Sequence, residues 1–295
     1  LANYAADFAQ TLETHVNDPN AAGQSPIIVR RFQWTGENNH QGRADAALRL
    51  LADLSQLELP AGDRVILWGH SHAGNVFALL THLLGSSLEI RQRFWEAIDP
   101  IYRRPFAHRV RDPRIELART VLLAEDGLAL RPDLVTFGTP VRYGWESSGY
   151  RSLLHVVHHV PASDAEPYRA EFPPSLERLR NGRLGDFLQQ FGIAGTNFPV
   201  NPCSVLHWAT EFRLHRLLQL GVRRRDLWQR WMRGIRVPEE GTTRLVNYYE
   251  GEPWEAQLFL GHGIYTLKHW LPFHLECQLE HLRNAASADR HLAST

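Results

Sequence analysis

Apolar residues are grouped along this chain in two patterns, short continuous runs and longer stretches with helical spacing. The short runs, which are typical of buried strands, lie at 26–34, 65–68, 133–141, 152–160 and 242–249. The stretches whose apolar residues recur every three or four positions, which are typical of helices, lie at 1–16, 43–57, 184–191, 207–233 and 270–284. Successive strands joined by helical crossovers pair in parallel. The pattern predicts the α/β class, with a mostly parallel sheet flanked by helices.

Two regions depart from this alternation of strand and helix. Residues 84–131 are rich in arginine, proline and aromatic residues, and are predicted to form an irregular insertion above the sheet. Residues 165–240 are mostly helical by pattern and lie between two predicted strands. We therefore divide the chain into a first core part (1–164, including the insertion), a helical cap (165–241) and a second core part (242–295).

The segment from Val65 to Leu80 carries the clearest chemical signal. An apolar run ends in Gly69-His70-Ser71-His72-Ala73-Gly74, and an apolar pattern with helical spacing follows. Small residues on both sides of a serine allow a sharp turn from strand to helix, which leaves the hydroxyl accessible at a strained tip. The second glycine of the G-x-S-x-G pattern is replaced by Ala73, with Gly74 directly behind it. This context favours a nucleophile elbow at Ser71 over an ordinary turn that contains serine.

Composition narrows the classes of function. The 295 residues contain 32 basic and 32 acidic side chains, so there is no net charge to attract nucleic acid or an anionic membrane. No run approaches the ~20 apolar residues that cross a bilayer, and the first residues lack a signal-peptide pattern. Cys203 and Cys277 match neither a disulfide framework nor a zinc motif. We expect a soluble protein, cytoplasmic by default, with the compartment left open because the chain begins at Leu1 without a start methionine.

Two motifs resemble the lipase and esterase branch of the α/β-hydrolase family. Residues 69–74 are similar to the GHSxGG elbow of many lipases, and Val-Thr-Phe-Gly-Thr-Pro at 135–140 resembles the next core strand of class 3-like lipases. The resemblance covers residues 26–165 and 242–275. It implies an α/β-hydrolase-type sheet with a helical insertion, and a serine nucleophile.

The resemblance also implies a catalytic triad in the chain order serine, acid, histidine. The acid is expected after the strand at 152–160, where Asp164 stands, and the histidine after the last strand, where His262 stands between two glycines. Ser71 would attack the substrate, His262 would take and return its proton, and Asp164 would orient the imidazole. No metal or organic cofactor is implied. Other histidines and carboxylates at comparable positions stay open as alternatives: His207, His269, Glu166, Glu250 and Glu252.

An oxyanion hole beside Ser71 is implied as well. The backbone N–H of His72, which follows the nucleophile at the start of a helix, is the expected first donor. The second donor normally comes from a loop after an early strand, and no such loop is visible before residue 26. We expect that loop to precede Leu1.

Substrate contacts are expected near the carboxyl edge of the sheet, where ligands gather in α/β proteins. Asn38 and Asn39 follow the first predicted strand and His70 directly precedes the nucleophile, so these three are the candidate substrate-binding residues. Asx hydrogen bonds within a turn are an alternative explanation for the asparagines, and a supporting structural role is the alternative for His70.

His155, His158 and His159 offer a different interpretation, a metal-dependent hydrolase. Alternation along a strand puts His155 and His159 on one face and His158 on the other, and no cysteine or HExxH pattern completes a ligand set. We therefore predict no metal site and expect these histidines to make hydrogen bonds in the interior or at an edge.

The sequence as a whole predicts a serine esterase or lipase of lipid metabolism that forms an acyl-Ser71 intermediate. The cap at 165–241 is rich in aromatic residues and leucine, which favours lipid or acyl-glycerol esters over small polar esters, with transient contact to a lipid surface. A phospholipase or an acyltransferase with the same triad is an alternative, since fold and triad do not fix the substrate. A catalytically silent relative that binds a ligand in the same cleft is the alternative from a different class.

Overall fold

The computed structural model shows an α/β protein built on a parallel sheet. The structure describes residues 4–5, 7–17, 26–103, 112–163, 165–181, 183–193, 197, 204–218, 223–250 and 260–293. Within these residues the sheet has four strands, which pair in parallel and in chain order: β1 (Ile66–His70), β2 (Asp133–Phe137), β3 (Ser152–His158) and β4 (Thr242–Val246). All carboxyl ends therefore meet at one edge.

The central strands β2 and β3 are buried at every position. A parallel strand that is covered by helices on both faces has no solvated side, so apolar residues stand on both of its faces. Leu134 and Leu153 join the core on one face, whereas Val135 and Leu154 join the core on the other. Four of the five predicted strands are confirmed, with ends that differ by a few residues.

Helices precede, separate and follow the strands. The described part of the chain contains ten α-helices: α1 (Phe8–Val16), α2 (His40–Ser55), α3 (His72–Gly85), α4 (Leu88–Tyr102), α5 (Pro113–Leu123), α6 (Leu176–Asn181), α7 (Phe187–Ile193), α8 (Val205–Leu217), α9 (Arg224–Met232) and α10 (Leu271–Ala293). The predicted helices are confirmed, except that the stretch at 207–233 forms two helices. In the same residues, no helix combines the length and the apolar character needed to cross a bilayer.

Helices α2 and α5 begin at side-chain caps that the sequence supplies. The Asn39 side chain accepts a hydrogen bond from the Gly42 N–H at 2.7 Å at the start of α2. Asp112 accepts from the Arg114 N–H at 2.9 Å, and Pro113 occupies the first turn of α5. Such caps satisfy N–H groups that have no partner within the helix, and proline loses nothing there because its missing N–H would be unpaired.

The sheet separates two hydrophobic cores. One core is formed mainly by α2, α3, α4 and α5 against one face of the sheet. The other contains Phe137, Val156, Tyr248, Tyr265 and Cys277, and includes the start of α10 and the turns before it. This arrangement of helices on both faces fixes the strands in place, so the loops at their carboxyl ends are held on a rigid support.

Two predictions about local structure are wrong. The run at 26–34 forms no strand: the N–H and the C=O of Ile27 bond to the Asn17 side chain and not to a neighbouring strand, and Ile27 and Ile28 are exposed. The region at 84–131 was predicted to be irregular, but its described residues, 84–103 and 112–131, contain α4 and α5, whose apolar faces join the first core. Its arginine and proline content obscured a helical pattern that packing stabilises.

The helices α6 to α9 lie between β3 and β4, as the sequence predicts. Helix α8 packs against α4 and α2. Its Glu211, which is buried, accepts a hydrogen bond from the Gln41 N–H at 2.8 Å, at the amino-terminal end of α2. A carboxylate there is stabilised by the helix dipole and by the free N–H groups of the first turn. This contact joins the helical region to the sheet-bearing part of the chain.

A buried carboxylate also lies at the amino edge of the sheet. Asp133, the first residue of β2, accepts two hydrogen bonds from the Arg64 guanidinium at 2.7 and 2.6 Å. The Ser152 hydroxyl, at the start of β3, donates to the same carboxylate at 2.6 Å. These bonds satisfy both carboxylate oxygens and connect the beginnings of two neighbouring strands.

Candidate active site

Ser71 lies directly after β1, at the carboxyl edge of the sheet. Its backbone has φ 57° and ψ −127°, in the left-handed half of φ space that a residue with a Cβ seldom adopts. Among the described residues, only Ser71 and Leu260 combine a side chain with a positive φ. The Ser71 N–H donates to the Phe137 carbonyl at 2.9 Å, and α3 begins at the next residue. The predicted strand–turn–helix elbow is present at this serine.

The glycines on either side of Ser71 explain how the turn packs. A Cβ on Gly69 would lie 2.5 Å from the Phe77 ring, and a Cβ on Gly74 would lie 2.1 Å from Thr139 Oγ1. Thr139 Oγ1 in turn donates to the Ser71 carbonyl at 2.9 Å. The position that must lack a side chain next to Thr139 is therefore Gly74 and not Ala73, so an alanine at position 73 is compatible with the elbow. The departure from the G-x-S-x-G pattern thus leaves the turn intact.

His262 is the histidine that the structure brings to this serine. Its Nε2 lies 2.7 Å from Ser71 Oγ, within hydrogen-bond distance. The His70 ring nitrogen Nε2 lies 3.0 Å from the His262 carbonyl, and the two rings have centroids 4.6 Å apart. The alternatives do not take this place: His269 is exposed beside Trp270, and His207 lies within α8.

The carboxylate on His262 is Asp186. His262 Nδ1 lies 2.9 Å from both Asp186 Oδ1 and Oδ2, and the carboxylate is fully buried. The predicted acid, Asp164, lies outside the described residues. Sequence reasoning placed the acid directly after β3, whereas the chain continues through 159–185 before Asp186 returns to the end of that strand, where its N–H donates to the His158 carbonyl at 2.9 Å.

A signal for Asp186 was present in the sequence. It stands directly before the apolar stretch that forms α7, a position at which aspartate caps helices. Its Oδ1 accepts a hydrogen bond from the Gln189 N–H at 2.8 Å. The cap fixes the side-chain rotamer, so the same bond that starts the helix also holds the carboxylate against His262.

Asp186 is held in its ionised form. Burial opposes ionisation, but the nearby His262, the Gln189 N–H and the Arg236 guanidinium together outweigh burial and set the pKa of Asp186 below its usual value. An ionised carboxylate can only accept, so His262 Nδ1 carries the proton of this hydrogen bond and Nε2 is left to accept the Ser71 hydroxyl. The tautomer is the one that a general base for Ser71 requires.

His72 occupies the first position of α3, next to Ser71. Burial, with smaller contributions from Arg43 and His262, lowers the pKa of its imidazole to about 3. The ring is therefore neutral near pH 7 and does not compete with His262 for a proton. The backbone N–H of His72 is one of the first-turn donors that have no partner within the helix, which is consistent with its predicted oxyanion role.

The three predicted substrate-binding residues make bonds within the protein. Asn39 caps α2, which is the Asx explanation that the sequence left open. Asn38 Oδ1 accepts a hydrogen bond from the buried Arg43 guanidinium. His70 contacts the His262 loop, as described above. Only His70 touches the cluster around Ser71, and its contact supports the placement of His262.

The three histidines of β3 and its end are separated, as the alternation predicts. His155 Nδ1 bonds Thr136 Oγ1 at 2.6 Å, whereas His158 Nδ1 donates to the Val246 carbonyl at 3.2 Å. His159 Nε2 donates to the Pro167 carbonyl at 2.7 Å. Within the described ranges, no group of three or more histidine, cysteine, aspartate or glutamate residues is arranged to hold a metal ion.

Comparison of the chain with protein-family models, with curated proteins and with solved structures found no match. The geometry of the site is therefore the basis for assigning a function. At the carboxyl edge of the parallel sheet, a hydroxyl, an imidazole and a carboxylate are connected by successive hydrogen bonds.

Proposed function

We propose that this protein is a serine hydrolase of the α/β-hydrolase type, which cleaves carboxylic esters through an acyl-Ser71 intermediate. The observation that carries the proposal is the continuous contact from Ser71 Oγ to His262 Nε2 at 2.7 Å and from His262 Nδ1 to Asp186 at 2.9 Å. The nucleophile, acid and base follow one another in the chain order of that fold, with Asp186 in place of the predicted Asp164.

Each side chain then has a defined part in the reaction. As Ser71 Oγ bonds to the ester carbonyl carbon, His262 Nε2 takes the hydroxyl proton, and Asp186 stabilises the imidazolium. The tetrahedral intermediate expels the alcohol, which receives the proton from His262. A water molecule then gives its proton to His262 and attacks the acyl-serine. Collapse of the second intermediate releases the carboxylic acid and restores the Ser71 hydroxyl.

Charge on the carbonyl oxygen requires donors that are already in place. The N–H of His72 at the start of α3 is one such donor, and the positive end of the helix dipole adds to it. The positive φ of Ser71 supports this assignment, because a strained strand-to-helix turn exposes the nucleophile directly before the first free N–H of the helix.

The apolar surface of the helices between β3 and β4 favours a lipid or acyl-glycerol ester. Large apolar side chains of α7, α8 and α9 are exposed to solvent: Leu188, Phe191, Val205, Trp208, Phe212, Trp228 and Met232. Exposed apolar side chains that are grouped on a few helices are typical of surfaces that contact other apolar matter. We propose that these helices form the predicted cap and receive acyl chains. The same triad is also compatible with phospholipid cleavage or with acyl transfer.

Labelling with a fluorophosphonate tests the serine hydrolase directly. We expect one covalent adduct per chain, located on Ser71 by mass spectrometry, with a rate that a chelator does not change. Ser71→Ala should abolish the adduct, whereas Ser148→Ala, which removes an exposed serine of another loop, should keep the wild-type rate. Folded wild-type protein without an adduct would reject the hydrolase and favour the silent binding protein.

Esters of p-nitrophenol with increasing acyl length test the substrate class. We expect kcat/KM to rise from acetate to medium and long chains, because each buried methylene contributes about 0.8 kcal/mol to binding. A sharp preference for acetate would contradict the lipid assignment while leaving the serine hydrolase in place. Partition of the acyl group between water and an added alcohol distinguishes hydrolysis from acyl transfer.

A further inference from the structure

Tyr265 lies three residues after His262 and is fully buried beneath the triad. Its hydroxyl lies 2.9 Å from Asp186 Oδ2 and 2.6 Å from the His158 N–H nitrogen at the end of β3. The hydroxyl therefore connects Asp186 to the end of β3, the strand after which the acid was predicted to lie.

The two contacts fix the direction of the hydroxyl proton. A backbone N–H can only donate, so the His158 N–H occupies a lone pair of the Tyr265 oxygen. The single hydroxyl proton then points at Asp186. Burial, with the negative charge of Asp186 next in size, raises the pKa of Tyr265 well above its usual value, so the phenol keeps this proton throughout the neutral and mildly alkaline range.

The surroundings of this pair are closely packed. Gly138 has φ 56°, and a Cβ there would lie 2.5 Å from both Asp186 Oδ2 and the Tyr265 ring. The ring packs at 5.9 Å from the Tyr248 ring and 6.2 Å from the Phe137 ring. The Tyr265 and Asp186 side chains are therefore held in place by packing as well as by hydrogen bonds.

We propose that Tyr265 is a positioning residue of the triad, whose hydroxyl orients the Asp186 carboxylate and sets how strongly it attracts the proton of His262. This inference rests on the proposed function. A hydrogen bond from a neutral donor withdraws charge from the carboxylate, so a carboxylate without it is a stronger partner for imidazolium. Loss of the hydroxyl should therefore strengthen the attraction of Asp186 for the His262 proton and misplace the imidazole ring.

Other titratable and charged groups also face His262 and Asp186. His262 is faced by Ser71, by the rings of His70 and Tyr265, and by His72, while Asp186 is also near the Arg236 guanidinium. Burial lowers the pKa of Arg236 to about 10, which leaves it charged near pH 7. Its Nη1 donates to the His158 carbonyl at 3.2 Å, not to Asp186. Among the described residues, Tyr265 is thus the one side chain besides His262 that donates to the carboxylate.

Tyr265→Phe tests the proposal, because it removes one oxygen and keeps the ring. The matched control is Tyr102→Phe: Tyr102 is also buried and also donates to a carboxylate, Asp45, at 2.9 Å, but in the α2–α5 core. The rate constant of Ser71 labelling by a fluorophosphonate is measured against pH for both. We expect Tyr265→Phe to be slower by about tenfold at neutral pH and to have its inflection at higher pH. Tyr102→Phe should match wild type in both.

The outcomes separate this inference from the proposed function. A wild-type chain that is not labelled rejects the function itself. A labelled wild type with Tyr265→Phe equal to it, or slower with an unmoved inflection, overturns the positioning role and leaves the function standing. If Tyr265→Phe does not fold, 3-fluorotyrosine at position 265 keeps the bond with a stronger donor. The inflection should then move to lower pH, and an unchanged pH would overturn the proposal.

Discussion

Two buried carboxylates lie at opposite edges of the same sheet and differ in their partners. Asp133, at the amino edge, is paired with Arg64 and with a serine hydroxyl. Asp186, at the carboxyl edge, is bonded by His262, by Tyr265 and by the Gln189 N–H. Both carboxylates are satisfied and almost fully excluded from solvent. Burial and hydrogen bonding alone therefore do not distinguish a structural carboxylate from a candidate catalytic one.

The difference lies in which partner can exchange a proton. An arginine keeps its charge at any ordinary pH, so the Asp133 pair has one state and serves to hold two strand ends together. A histidine gains and loses a proton near neutral pH, and His262 is also in contact with a hydroxyl on a strained turn. The carboxyl edge thus combines a fixed acid with a partner that can change its charge, and the amino edge does not.

The largest expected effect comes from Asp186→Asn. An amide at this position offers an N–H to His262 and favours the wrong tautomer, so the labelling rate of Ser71 should fall by about 10⁴-fold. Asp133→Asn is the matched control at the other edge. It should lower the free energy of unfolding by about 2 kcal/mol, since Arg64 is partly exposed and retains some solvation, without changing the labelling rate of folded protein. Equal labelling rates in the two variants would remove the distinction between the edges.

A smaller effect is expected from Gly138→Ala. The added methyl group would lie 2.5 Å from Asp186 Oδ2 and must displace the carboxylate or the Tyr265 ring. A displacement of about 1 Å in such a site costs about 10²-fold in rate, so labelling should slow by that amount. Gly62→Ala is the control, because Gly62 also has a positive φ but a Cβ there meets no atom within 4 Å. If both variants label equally slowly, strain in the backbone and not the position of Asp186 is responsible.

The smallest effect concerns His155, which lies on β3 between the two edges. Burial lowers the pKa of its imidazole to about 3, so the folded protein keeps it neutral while the unfolded chain takes up a proton below about pH 6.5. Stability is therefore lost as pH falls from about 6.5 toward about 3. In His155→Gln the loss of unfolding free energy between pH 7 and pH 5 should be smaller by about 2 kcal/mol, as urea titrations would measure. An unchanged loss would show that His155 does not contribute to acid sensitivity.

The fold could be predicted from the sequence where the pattern of apolar residues matches the way the strands are packed. The runs that became β2 and β3 carry apolar residues on both faces because both faces of these strands are covered, and that pattern survives in the sequence. The run at 26–34 has a similar composition but is not a strand, because nothing in a single segment tells whether a neighbouring strand will pair with it. An apolar run therefore becomes a strand only where a neighbouring strand of the sheet pairs with it.

The site divides in the same way. The sequence by itself determined the elbow at Ser71, since small residues between a strand pattern and a helix pattern are a local requirement, and it singled out His262 by its flanking glycines after the last strand. Only the tertiary structure showed which carboxylate contacts His262. Asp186 joins His262 because the chain between β3 and α7 turns back to the end of β3, where a helix cap, the His158 carbonyl and the Tyr265 hydroxyl converge. Such convergence depends on contacts between residues far apart in the chain, which no local spacing encodes.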